Sequence, residues 1–259
     1  MKTGKLFFAL TITAFLASCS TGDGSGSSDS TGSSSGKGGS MARFCVAGDY
    51  LYTVDNQNLK LFNIETPNNP IFYEQRTINL GSGIETIFPM DTLLFIGAVD
   101  GMRILDISDG RFPQYLSLTR HITSCDPVVA SGNYAYVTLN SSSIFCGRGS
   151  NVLQVYDISN TSEPRFIREI PCYSPRGLGV SEGKLFVCDN NGLKVFDIAA
   201  NPAFPRQIDD LYSTGVEVKT AYDVIPMGNT LILTASNGIF QFDYSGNTLR
   251  LLSKISTSK

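Results

Sequence analysis

A run of apolar or aromatic residues that closes on an acidic or amide residue and a further large apolar one returns five times between Leu61 and Tyr244, at intervals of 40 to 51 residues. The copies read Leu61-Phe62-Asn63-Ile64, Ile104-Leu105-Asp106-Ile107, Val155-Tyr156-Asp157-Ile158, Val195-Phe196-Asp197-Ile198 and Phe240-Gln241-Phe242-Asp243-Tyr244. A unit of this length cannot bury its apolar face alone, so successive copies must pack on one another. The period fits one four-stranded blade of a β-propeller.

Each copy contains four short apolar runs separated by turn residues, and no stretch has apolar residues at helical spacing over a useful length. The class is therefore all-β: a five-bladed β-propeller of four-stranded antiparallel blades. The first run precedes a Gly or Asp turn, as in Phe44-Cys45-Val46, and the second follows it, as in Tyr50-Leu51-Tyr52. The third, the Asp-Ile run, is apolar on both faces, as suits a strand held between neighbouring blades. A proline stands before the fourth run in four copies, at Pro70, Pro113, Pro164 and Pro205. Proline donates no hydrogen bond and survives at strand starts and edges, which marks the outer strand. Five complete copies predict a ring whose join rests on packing between the first and last blades. A larger ring shared between chains is the alternative.

These features, notably Ile104-Leu105-Asp106-Ile107-Ser108 and Val155-Tyr156-Asp157-Ile158-Ser159 followed by a proline, resemble the LVIVD repeat over residues 41 to about 256. Ser124-Cys125-Asp126-Pro127-Val128-Val129 and Tyr222-Asp223-Val224-Ile225-Pro226 resemble the LVIVD-repeat lipoproteins of Bacteroidota, which are largely of unassigned function. Asn63 departs from the pattern in the first copy, and the fifth lacks the proline.

Ahead of the repeats, Lys2 and Lys5 precede an apolar stretch from Leu6 to Leu16 that is too short to span a bilayer. It reads as an export signal over residues 1–18. Leu16-Ala17-Ser18-Cys19 resembles the bacterial lipobox, which implies lipidation at Cys19, and Ser20 in the next position points to the outer membrane. Residues 20–40 are Gly, Ser and Thr with only Asp23, Asp29 and Lys37 charged, so they carry no apolar surface to offset the entropy of ordering. They make a flexible tether with a span of roughly 25 Å, and the globular head occupies residues 41–259.

A net charge of −3 and the lack of a basic run argue against a nucleic-acid partner. The expected partners are the membrane, through the lipid, and an envelope protein or glycan. Long connections, at residues 140–151, 170–176 and 212–222, should gather at one end of the ring and form its binding surface. Arg43, Glu85, Asp126, Arg176 and Asp223 open the inner strands and should ring the central mouth, flanked by Tyr173 and Tyr222. Opposed charges there suit a polar ligand, or calcium with its preference for oxygen; no other cofactor is implied. The plainer alternative is that the carboxylates accept bonds from nearby loop donors and neutralise the two arginines. Asp55-Asn56-Gln57-Asn58 and Asp189-Asn190-Asn191-Gly192 hold calcium-type residues but read as hairpin turns.

His121 is the single histidine, which rules out a histidine triad or a multi-histidine metal site. With no catalytic motif in view, the expected role is non-catalytic binding or scaffolding. The alternative is a polysaccharide hydrolase or lyase that uses Glu85, Asp126 or Asp223 as acid and base. Among the cysteines, Cys125 and Cys146 are the first choice for a disulfide, closing a loop of about 20 residues worth roughly 3 kcal/mol. Cys172 and Cys188 are the second choice, which leaves Cys45 as buried filler.

Overall fold

The computed structural model describes residues 39–120, 127–141, 150–190, 192–246 and 248–257. Cys19, the export signal and the tether up to residue 38 lie outside these residues. So do His121, Cys125, Asp126, Cys146 and most of the 140–151 insertion. Among the described residues no helix is long and apolar enough to cross a membrane.

The strands form five antiparallel sheets, each paired in chain order from inner to outer strand. Blade one holds Phe44–Ala47, Tyr50–Val54 and Asn58–Asn63, and its outer position is split between Ile71–Phe72 and Ile78–Asn79 by a 3-10 turn at Glu74–Arg76. Blade two holds Ile84–Met90, Leu93–Ala98, Gly101–Asp106 and Gln114–Arg120. Blade three holds Val128–Ser131, Tyr134–Leu139, Val152–Asp157 and Arg165–Pro171. Blade four holds Pro175–Ser181, Lys184–Asp189, Gly192–Asp197 and Arg206–Asp210, and blade five Ala221–Met227, Thr230–Ala235, Gly238–Asp243 and Arg250–Ser256. In blades one to four the outer strand begins at the residue after the predicted proline.

The recurrent aspartate shapes the turn that leads to the outer strand. Asp106, Asp157, Asp197 and Asp243 each accept a hydrogen bond from the backbone N–H two residues on, at 2.7 to 2.9 Å. Asn63 Oδ1 accepts the same bond from Glu65 at 3.0 Å, so asparagine keeps the function with a neutral acceptor. The residue that follows then bonds its N–H back to the first hairpin of its blade: Ile64 to Asp49, Ile107 to Thr92, Ile158 to Asn133, Ile198 to Gly183 and Tyr244 to Asn229. These bonds hold Asp157, Asp197 and Asp243 below the usual carboxylate range, Asp243 at about 2. Asp157, Asp197 and Asp243 also meet Arg165, Arg206 and Arg250, but those arginines are largely exposed and the pairs add little.

Blade packs on blade through four apolar clusters. One joins blades one and two, around Tyr52, Leu61, Ile87 and Leu94. A second joins blades two and three through Phe95, Ile104, Val128 and Val137. The third joins blades three and four through Tyr136, Val155, Leu178 and Val187, and the fourth joins blades four and five through Phe186, Val195, Leu231 and Phe242. Hydrogen bonds cross the same junctions: the Tyr52 hydroxyl donates to the Gly110 carbonyl and the Tyr136 hydroxyl to that of Pro202, at 2.8 and 2.9 Å. Phe95 holds the matching place in blade two without a hydroxyl. Tyr136→Phe should therefore keep the packing and cost about 1 kcal/mol for the lost bond, read as a lower urea midpoint at unchanged slope.

The expected join between last and first blades takes another form. Among the described residues no apolar cluster unites blades five and one. The second and third strands bury both faces in blades two to four, whereas in blades one and five they alternate between buried and partly exposed positions. The prediction that every third strand is covered on both sides thus holds for the three middle blades only.

Candidate functional site at the loop-rich end

The long connections meet at one end. Asn140, at the start of the blade-three insertion, donates to the Pro175 carbonyl at 2.6 Å, and Asn151, at its finish, accepts the Cys172 N–H at 2.9 Å through its carbonyl. Asn190 donates to the Ser174 carbonyl, and Ala221 donates to that of Asn190. Backbone groups at the blade-three insertion, the connection before blade four, the blade-four hairpin and the start of blade five are thereby tied together.

Asp189 organises the connection before blade four. Its carboxylate accepts the N–H groups of Tyr173 and Ser174 at 2.9 and 2.7 Å and pairs with Lys194 at 2.6 Å. The Tyr173 backbone is thereby fixed while its ring stands 75% exposed. Tyr212, 68% exposed, projects from a 3-10 turn that Asp210 caps through Ser213 and Gly215 ends in a left-handed conformation. The sequence reading placed Tyr212 in a long loop without singling it out. An aromatic residue that starts an Asp-capped turn is the signal that could have found it.

At the mouth, three inner strands carry one extra residue each. The register slips at Glu85 in blade two, at Arg176-Gly177 in blade four and at Tyr222 in blade five. Such bulges re-aim side chains at strand ends. The Arg176 guanidinium lies over the Tyr222 ring at 5.9 Å, and Arg43 donates to the Ile84 carbonyl. Thus Arg43, Glu85, Arg176, Tyr222 and Asp223 all lie at the mouth ends of inner strands, Tyr173 lies in the adjoining connection, and Asp126 falls outside the described residues.

Asp223 is already engaged by its own chain. It accepts from Ser40 Oγ at 3.2 Å, from Met41 N–H at 3.3 Å and from Val224 N–H at 3.0 Å, while Ser40 Oγ also accepts the Leu178 N–H at 2.7 Å. The root of the tether is thus clasped to the inner strands of blades four and five. Burial pushes the Asp223 carboxyl up to about 6. With the folded value raised, this group's contribution to stability is full below the ordinary carboxylate range and is lost as pH rises through about 6. Asp223→Asn should remove that slope: between pH 5 and 7.5 the wild type should lose about 1 kcal/mol relative to the variant, measured by urea melts at both pH values.

The second-choice disulfide does not form. Cys172 and Cys188 are free because they lie on opposite sides of blade four: Cys172 packs in the blade three–four cluster and Cys188 in the blade four–five cluster. Cys45 is free and buried between blades one and two, and burial pushes its thiol up to about 12. Cys125 and Cys146 lie outside the described residues. Among the described residues no cluster of side chains could hold a metal ion. Asp55 spends its carboxylate on Gln57 and Asn58 N–H groups and Lys60, which makes that segment a turn.

Comparison with known proteins agrees with the fold. No curated protein of related sequence matches the chain. Among solved structures, the periplasmic gluconolactonase of Pseudomonas aeruginosa superposes with a TM-score of 0.60 at 14% identity, over 81% of this chain and 68% of that one. A Bacteroides fragilis protein named as a 6-phosphogluconolactonase gives 0.57 at 14% identity, over 82% and 69%. A chain of a nidogen/laminin complex gives 0.55 at 14%, over 83% and 76%. At such identity the likeness is one of fold alone. It nevertheless overturns the expectation of a non-catalytic protein, because that expectation rested on missing motifs and the same architecture serves proteins named as lactonases. The LVIVD repeat family matches residues 124–170 and 175–208, which take in blade three and most of blade four. The chain is a five-bladed β-propeller that carries LVIVD repeats in its third and fourth blades.

Proposed function

We propose that this protein is a lipid-anchored propeller of the outer membrane that binds an envelope protein or glycan at its loop-rich end. The observation that carries the reading is a set of tyrosine rings, Tyr173, Tyr212 and Tyr222, that are 44 to 75% exposed at that end. Two of them stand on backbone held by Asp189 and Asp210 and the third beneath Arg176. Large rings on fixed backbone give contact area at low entropic cost, and they suit the face of a sugar or an apolar peptide side chain. The Gly/Ser tether supports the reading by giving the head reach without fixed orientation.

The test uses the full chain against envelope polysaccharide fractions and detergent-solubilised envelope proteins. Tyr173→Ala/Tyr212→Ala should weaken capture at least tenfold, since each ring contributes about 1 kcal/mol, and Cys19→Ala should move the protein from the membrane to the soluble fraction. Capture unchanged by the double substitution would remove this end as the binding surface. If the mouth also cleaves a bound glycan, Asp223 is a poor acid because its oxygens serve Ser40, Met41 and Val224. Glu85→Gln is then the informative variant.

A further inference from the structure

Blades one and five each keep one unsealed face, and the two faces are of opposite kinds. Blade five presents the face that blades one to four turn toward the next blade: Ile225, Ile232 and Ile239, with Ile255 beside them. Blade one presents the face that blades two to five turn toward the previous blade: Phe44, Leu51 and Phe62. Exposure reaches 60% at Phe44, 42% at Ile239 and 66% at Ile255. The hydrogen bonds that reach blade five from the first described residues come from Ser40 and Met41, at the mouth end only.

We propose that these faces pair between copies, with blade five of one chain seated head to tail on blade one of a second. Three observations support that occupant. The pairing repeats the arrangement that seals four junctions within the chain, so it continues an interface the sequence already builds. Bulk is redistributed to match. The third residue of the second strand is Tyr52, Phe95, Tyr136 and Phe186 in blades one to four but the smaller Ile232 in blade five. The inner-strand place of Val128 and Leu178 is taken by the larger Phe44 in blade one. Finally, the chain's own tether, residues 20–40, has no apolar residue with which to cover either face. Such a contact is heterologous: each copy uses two different surfaces.

Sedimentation velocity on the full chain tests this, with Ile239→Asp to block the blade-five face and Phe44→Asp to block that of blade one. The wild type should pass from single chains to assemblies of two or more as concentration rises toward roughly 100 μM. Each variant alone should stay monomeric, and a one-to-one mixture should regain a two-chain species, because each variant supplies the face the other lacks. A wild type that stays monomeric overturns the proposal, as does a mixture that stays monomeric. Association of Phe44→Asp by itself would mean that like faces pair, and also overturns it. Thermal melts of both variants guard against loss of fold, and Ile255→Asp, at a more exposed place on the same face, replaces Ile239→Asp should that chain fail to fold.

Discussion

Phe186→Ala should destabilise the protein by about 3–5 kcal/mol, whereas Ile232→Ala, at the matching position of blade five, should cost roughly 1 kcal/mol. Phe186 is fully buried and meets Tyr244 edge-on at 4.9 Å across the blade four–five junction, so truncation leaves a cavity that neither sheet can collapse into. Ile232 stands on the face that no other blade covers, and its side chain gains less from the fold. In a chain of this size the first change should lower Tm by about 10 °C and the second by about 3 °C. Urea melts of both variants supply the comparison. Equal, small losses would mean that packing between blades is not what holds the molecule together.

Gly177→Ala should cost about 2–3 kcal/mol and act mainly at the mouth. A Cβ at Gly177 would come within 2.7 Å of Asp223 Cα and of the Tyr222 carbonyl oxygen, which are backbone atoms that no rotamer change can move. The inner strands of blades four and five would have to separate, and Ser40, which bridges Leu178 and Asp223, would lose one partner or the other. Gly132→Ala makes the comparison. That glycine has φ +55° and open space around it, so it incurs only the strain of a left-handed turn, about 1 kcal/mol. Calorimetry on the two variants checks the order. A Gly177→Ala melt no lower than that of Gly132→Ala would show that the two inner strands do not press together.

Most of the blade plan was legible because it rests on local chemistry repeated five times. The prolines mark the outer strands of blades one to four, and the Asp-Ile pair marks the turn before them. Asn63 looked like drift, yet its side-chain oxygen does what the aspartates do. The unsealed face of blade five also had a sequence signal. Gln241 falls where the other copies have Leu61, Ile104, Val155 and Val195, all buried, and a polar residue there indicates a face without a neighbour. The mouth was less readable. A bulge is one extra residue in a strand, and nothing in the side chains of Glu85, Arg176 or Tyr222 announces it. The engagement of Asp223 by Ser40 joins residues 183 apart, through a segment whose composition reads as tether. Pairing Cys172 with Cys188 failed for a related reason: closeness in sequence does not tell which side of a blade a residue faces.

The central claim is that four junctions, not five, are sealed by the chain itself. Single cysteines at Phe95, Phe186 and Ile232, labelled with a thiol reagent at nanomolar concentration where copies are apart, test it directly. The account predicts prompt labelling at position 232 in the native protein, and labelling at positions 95 and 186 only as fast as the protein unfolds. Position 232 protected as strongly as position 186, or position 186 labelled as promptly as position 232, would contradict it.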